Sequence, residues 1–302
     1  MDPSLDESAI AERMMTAARD GHLLRLIDPA NAPGRQYRED ATSRCRIDNP
    51  FIALPEIQHL YLERITPGDI EAFHDEIQRE RQGLPVSLLE PVAFCGWLIS
   101  KQALFTIAGY LRRQLDQKTP EGKSALLRFY DPRVMGRLTR ILDRSQLSAL
   151  LGPIDQWIHF DNGRTLQWLD PHQGTRRVAR LKPNADQWQS IRRIGQVNRC
   201  LELYRTLPDE DRNRAVDPDD VDRLIVEAQG YGLRERQEIS AFVLHCLVLH
   251  DRFHRHPRMQ ALLQECAGGM SYIGLTNRLT QQEWEAIAED KETFEHDGSV
   301  EN

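Results

Sequence analysis

The sequence predicts an α/β N-terminal lobe, a mixed sheet with flanking helices, followed by an all-α C-terminal lobe. Three observations carry that expectation. Short apolar runs alternate with amphipathic helical stretches as far as "WIHFDNGRTLQWLD", the pattern of layered α/β architecture. Beyond "KPNAD" the strand-like alternation stops, and apolar residues recur only at helical spacing. Between the two, over residues 171–185, Pro, Gly, Asn and Asp accumulate as they do in linkers. The expected boundaries are 1–175 for the α/β lobe with its N-terminal amphipathic helix, 176–294 for the helical lobe, and 295–302 for an acidic, disordered tail.

Each element has a local reason. "SLDESAIAERMMTAARDG" opens on a capping box from Ser4 to Glu7 and carries Ile10, Met14 and Ala17 on one face before Gly21 stops it. "HLLRLIDP" reads as a strand, and the polar stretch after it, to Asn49, as loop. "FIAL", "HLYLERI" and "PVAFCGWLIS" are further strands. They are parted by the helical "PGDIEAFHDEIQRERQG", with Thr66 as the expected cap and Pro67 in the first turn. Leu104, Ile107, Ala108, Leu111 and Leu115 mark the next helix. "ALLRFYD" follows as a nearly continuous apolar run, which predicts a central strand. Asp161-Asn162-Gly163 between two alternating runs predicts a β-hairpin.

In the second half, Trp188, Ile191, Ile194, Leu201 and Tyr204 define one helix. Asp217 and Pro218 start another, with Val221, Leu224, Ile225 and Ala228 on one face. A third spans residues 235–253, and a capping box from Thr280 to Glu283 begins the last.

Composition excludes several classes. The 302 residues are 40% apolar, enough to bury a core, and the formal charge of −7 argues against a duplex-coating protein, so nucleic acid is not an expected partner. Lysine occurs only at Lys101, Lys118, Lys123, Lys182 and Lys291, so nearly all positive charge is arginine, which favours planar, bidentate contacts. The five cysteines are scattered and odd in number, with no C-x-x-C pair, and read as reduced, mostly buried thiols. No apolar run approaches the roughly 20 residues of a bilayer span, and nothing resembles a signal peptide. A cytoplasmic protein without membrane insertion, and with no cofactor, is the expectation.

Two stretches carry candidate chemistry. In Arg128, Phe129, Tyr130, Asp131, Pro132 and Arg133, the aspartate can cap a helix that Pro132 begins. The alternative makes Asp131 a general base at the end of a strand, but no glycine-rich phosphate loop and no second placed acid accompanies it. In "HCLVLHDRFHRHP", His250 and His254 stand at i, i+4, and "HDRFH" resembles the zincin motif with Asp251 in place of Glu. A third ligand is not evident beyond His256 or a distant acid, and Pro257 ends the helix. The plainer reading is a polar helix end. Without a G-x-S-x-G elbow, Walker loop or Rossmann fingerprint, no catalytic residue is assigned. Trp97 and Trp157 are expected in the core, and Trp188 and Trp284 are left open.

The succession "LLRLID", "PFIALPEI", "PVAFCGWLISKQALFTIAGYLRRQL" and "ALLRFYDPRVMGRLTRILDRSQLSALLGPIDQW" resembles the N-terminal region of the type VI secretion effector adaptor/chaperone family (Tap or Tec proteins). "RFYDPRV" with the later "QL…LLGPI..W" is its most specific part, and "AQGYGLRERQEISAFVLHCLVLHDRFHRHP" resembles the family's C-terminal lobe. The likeness covers roughly residues 22–265. It implies a non-enzymatic adaptor that binds a cognate secreted effector, typically near the effector's N-terminus, and helps load it onto the VgrG spike. It also implies that the Arg128 to Arg133 motif is architectural. His245, His250 and His256, and the "RQYREDATSRCR" loop, depart from the pattern. A metal-dependent hydrolase using His250 and His254, and a structural component of the same machine, are the competing expectations.

Overall fold

Leu23–Ile27, apolar but for Arg25, forms β1, with every residue except the arginine buried. The computed structural model describes residues 6–31, 43–51, 59–170, 178–212, 214–250 and 252–289. Around β1 the chain builds a six-stranded sheet from β2 (Arg44–Ile47), β3 (Leu60–Arg64), β4 (Phe94–Ile99), β7 (Gln156–Phe160) and β8 (Leu166–Leu169). The order is β2-β3-β1-β4-β7-β8, and each pairing is antiparallel. The expected mixed sheet thus narrows to an antiparallel one, and among the described residues the α/β lobe is followed by helices without further strands.

One face of the sheet is covered by α1 (Glu7–Arg19) and α2 (Ile70–Gln82). Ile10, Met14, Phe73 and Ile77 bury against Leu23, Phe94, Trp97, Ile158 and Phe160. Arg25 points to this same face from the middle of β1. Its guanidinium bonds Glu63 at 2.8 Å and the α2 carboxylates Glu76 and Glu80 at 3.0 and 3.1 Å. Removing one partner from such a half-buried network leaves the others uncompensated.

The α1 expectation holds from Glu7 onward, whereas Ser4 lies outside the described residues and Asp6 at the N-cap makes no side-chain bond. At α2 the cap is Asp69, accepting from the Ala72 N–H at 2.9 Å, in place of Thr66. The Pro67-Gly68 step stays non-helical and delays the first turn. Of "FIAL", only Phe51 is described, and it lies in a turn.

After α3 (Leu104–Leu115) a two-stranded ribbon, β5 (Asp116–Lys118) with β6 (Ser124–Leu126), stands apart from the main sheet. This corrects the expectation of a central strand over "ALLRFYD". The run is strand only at its start, and from Leu127 it turns towards α4 (Pro132–Ile141), with Asp131 N–H bonding Arg128 O at 3.0 Å. Leu127, Phe129 and Tyr130 are buried nonetheless. They are apolar because they line the core as irregular chain. Next, α5 (Arg144–Leu151) ends at Gly152, where φ is 53° and a Cβ would lie 2.1 Å from the Tyr110 ring. No other residue fits there.

Two units divide the chain, Met1–Arg192 and Arg193–Asn302. The composition change over 171–185 lies ahead of this division, inside the first unit, and residues 171–177 and the 295–302 tail are outside the described residues. The helix α6 (Ala185–Arg205) crosses the division. The second unit adds α7 (Pro218–Gly230), α8 (Arg236–Val248), α9 (Pro257–Ala267), α10 (Tyr272–Thr276) and α11 (Gln281–Glu289). Both expected helix starts form here: Asp217 accepts from Asp219 N–H at 2.7 Å, and Thr280 and Glu283 cap each other reciprocally.

The helix expected over 235–253 stops at Val248. Leu249 leaves the helical backbone at ψ −86°, and Phe253–Arg255 form a separate tight turn. Among the described residues no helix is long and apolar enough to cross a membrane. All five cysteines are free, with Cys95, Cys200, Cys246 and Cys266 buried and Cys45 half-buried. Trp97 and Trp157 are fully buried, Trp188 is buried and Trp284 half-buried.

Candidate functional site

The Arg128 to Arg133 motif closes on itself around Asp131. Pro132 holds the first helical position without losing a needed donor, and Asp131 Oδ1 accepts from the Arg133 N–H at 3.1 Å, capping α4. The same carboxylate takes Arg133 Nε at 2.9 Å and Nη2 at 2.6 Å, and Arg128 Nη2 at 3.3 Å. Both oxygens are therefore engaged, and the aspartate is almost fully buried. The Asp131 carboxylate in turn raises the pKa of Arg133.

The third nitrogen of the Arg133 guanidinium reaches outward. Nη1 donates to Leu88 O at 3.0 Å and Glu90 O at 2.5 Å, in the irregular segment 84–92 between α2 and β4. A second arginine holds the start of that segment: Arg164 Nη2 donates to Leu84 O and Pro85 O, both at 3.0 Å. Arg164 sits in the β7–β8 turn with φ 62°, so the left-handed residue of that hairpin is Arg164 and the turn is longer than the two-residue Asn-Gly type. Asn31 Nδ2 adds a bond to Val92 O at 3.3 Å. Fixed in this way, 84–92 exposes Val86 (80%) and Leu89 (47%).

The aromatic members point inward. Phe129 meets Trp157 edge-on at 6.0 Å, and the Arg128 guanidinium lies 5.7 Å from the Tyr130 ring. Burial pushes the Tyr130 hydroxyl up to about 12. Asp28, whose side chain accepts from Ala30 N–H and Asn31 Nδ2 at 3.2 and 3.0 Å, is also raised by burial, opposed by the Ala30 bond and the Arg128 charge. Burial likewise raises the Cys95 thiol. A thiol and a phenol in these states are neutral near pH 7 and unsuited to attack as nucleophiles.

The histidines do not assemble as a zincin-like pair. With the helix ended at Val248, His250 and His254 leave the i, i+4 geometry that two ligands on one helix face require. His250 Nε2 lies 3.0 Å from Ile287 O, whereas His254 Nε2 meets Glu227 at 2.8 Å and its ring packs 5.7 Å from Phe242. Asp251 is outside the described residues. His256 caps α9, accepting from Arg258 N–H at 3.2 Å. His245 Nδ1 lies 2.7 Å from the Tyr272 hydroxyl, and burial lowers its pKa to about 4. Among the described residues no group of three or more His, Cys, Asp or Glu side chains is placed to hold a metal ion.

Sequence reasoning found Asp131 but missed Arg164, Asp28 and the segment 84–92. The one local signal for Arg164 was its position next to Asn162-Gly163, and nothing near 84–92 announces that its carbonyls are held from elsewhere.

Residues 61–149 match the family described as "Domain of unknown function (DUF4123)". The match starts within β3, ends within α5 and includes all of Arg128 to Arg133, over less than a third of the chain. No curated protein and no solved structure matches the chain.

Proposed function

We propose that this chain is a non-enzymatic adaptor, or chaperone, that binds a type VI secretion effector near the effector's N-terminus and helps load it onto the VgrG spike. The sequence likeness of "RFYDPRV" to that adaptor family supports the reading, and a domain of unknown function covers the same residues. One observation carries it furthest. The motif directs its charged groups at each other and at the backbone of 84–92, so its output is a fixed surface rather than a reactive group. On this reading the chain works in the bacterial cytoplasm, without a cofactor, and its product is a complex.

Co-expression with the toxin encoded beside a VgrG gene in the same locus tests this. The expected result is a stable complex in size-exclusion chromatography that also captures the spike protein. A chain that stays separate from both toxin and spike, or that forms rings or tubes by itself, overturns the reading.

A further inference from the structure

The two edges of the six-stranded sheet are built differently. At one, β2 carries Arg44 and Arg46, which pair with Glu63 and Asp48. Charged side chains on an edge strand guard it against pairing with other chains. At the other, β8 is Leu166-Gln167-Trp168-Leu169, with neither charge nor proline.

The direction of the β8 backbone follows from its register. Asp161 N–H bonds Thr165 O at 2.9 Å, and Phe160↔Leu166, His159↔Gln167, Ile158↔Trp168 and Trp157↔Leu169 continue the ladder. In an antiparallel pair the bonded positions alternate. Gln167 and Leu169 therefore turn their N–H and C=O groups to β7, and Leu166 and Trp168 turn theirs outward. Among the described residues no strand or backbone bond meets those outward groups. The side chains of Leu166 and Trp168 lie half-buried against the core under α1 and α2. The exposed Arg13 of α1 stands 5.2 Å over the Trp168 ring, with no carboxylate partner among the described residues.

We propose that the outer edge of β8 is a strand-addition site, which takes an extended segment of a partner protein as a seventh strand. Alternating N–H and C=O groups at strand spacing are matched by another extended backbone, and side chains at every second position set the preference. Here those positions continue the face of Leu166 and Trp168, so the segment carries apolar residues there and a carboxylate beside Trp168 that meets Arg13. The inference rests on the edge itself and is independent of the secretion reading.

Because main-chain bonds dominate such binding, a generic strand peptide is a sufficient probe. The acetylated, amidated peptide Thr-Val-Thr-Glu-Thr-Val-Thr presents valines and a central glutamate on one face. Added to the full chain at millimolar concentration, it should slow amide exchange at Leu166 and Trp168 saturably and leave Arg44–Ile47 unchanged. The version with Lys for Glu should bind about threefold more weakly, the size of an exposed charge pair, and Arg13→Glu should reverse that preference. Absence of protection at β8, equal protection at both edges, or a charge preference untouched by Arg13→Glu overturns the proposal. Protection of β8 that rises with protein concentration in the absence of peptide also overturns it, by making the occupant a second copy of the chain.

Discussion

The Asp131 junction of the first unit and the histidine-rich end of α8 in the second both crowd titratable groups into buried space, and they solve the problem in opposite ways. At the junction the charges are kept and paired: Asp131 is enclosed by donors from Arg128 and Arg133. At the α8 end, His245 is held neutral, its ring 4.8 Å from Trp284 and 2.7 Å from the Tyr272 hydroxyl, itself raised well above its ordinary value by burial. Pairing makes a region sensitive to the loss of a partner; neutralisation makes it sensitive to pH. The comparison also says what each region can do. The junction transmits its order to segment 84–92, whereas the histidine cluster consolidates a core.

The strongest way to break the comparison is at Asp131. Asp131→Ala removes a cap and leaves the half-buried Arg133 guanidinium without its carboxylate, with an expected cost of about 3 kcal/mol, the low end for breaking a buried pair. Asp131→Asn keeps an acceptor for the Arg133 N–H and should lose less. Urea unfolding followed by fluorescence measures both. A stable Asp131→Asn protein that had lost all binding to the proposed effector would instead give Asp131 a role at a reactive or binding surface.

The second test is pH. The folded pKa of His245, about 4, lies below its ordinary 6.5, so between those values the unfolded chain binds the proton that the folded chain refuses. Stability should therefore fall as pH drops from about 6.5 to about 4, by on the order of 2–3 kcal/mol. His245→Phe should flatten that part of the profile, while Asp131→Asn should leave it in place. An unchanged slope in His245→Phe would mean that other groups carry the acid sensitivity.

A smaller effect sharpens the link from the junction to its surface. Arg164→Ala frees Leu84 O and Pro85 O but keeps the Cβ that strains a left-handed position, so its cost is that of the lost bonds, whereas Arg164→Gly would also relieve the strain. The expected net cost is about 1 kcal/mol. Amide exchange over 84–92 should quicken more than global stability falls. If exchange there tracked global unfolding alone, the segment would be held by packing rather than by the two arginines.

How much of this was legible depended on the distance over which each bond acts. The caps at Asp131, Asp217 and Thr280 are made within three residues, so side-chain identity in the sequence was enough. "ALLRFYD" misled because an apolar run marks burial and does not say whether the buried chain is a strand or a turn. Thr66 lost to Asp69 because both can cap, and the choice turned on where the Pro67-Gly68 step released the helix. The His250/His254 spacing was real in sequence, but the helix carrying it ended early, and His254 is held by Glu227 on α7 and by aromatic rings. Segment 84–92 was opaque for a simple reason: its carbonyls are bound by Arg133 and Arg164, 43 to 80 residues further along the chain.

The smallest expected effect isolates a local device from either kind of burial. Thr280 and Glu283 form a reciprocal capping box at the start of α11, with Thr280 N–H donating to Glu283 at 2.8 Å and Glu283 N–H to Thr280 Oγ1 at 3.3 Å. The Thr280 bonds and the neighbouring Arg258 guanidinium, 2.9 Å away, lower the Glu283 pKa. All of these groups are exposed or near the surface, so no buried charge is stranded when one is removed. Thr280→Ala should cost about 1 kcal/mol, the ordinary price of an N-cap, and Thr280→Ser should restore most of it. The contribution of Glu283 should fade as pH falls into the carboxylate range, because its protonated form is the weaker acceptor. Since α11 supplies Ile287 O to His250 and Trp284 to His245, loosening the cap should also raise the pH at which the second unit begins to unfold. Melting curves of Thr280→Ala between pH 4 and pH 7 check this. Equal losses at every pH would mean that the cap and the buried histidines act independently.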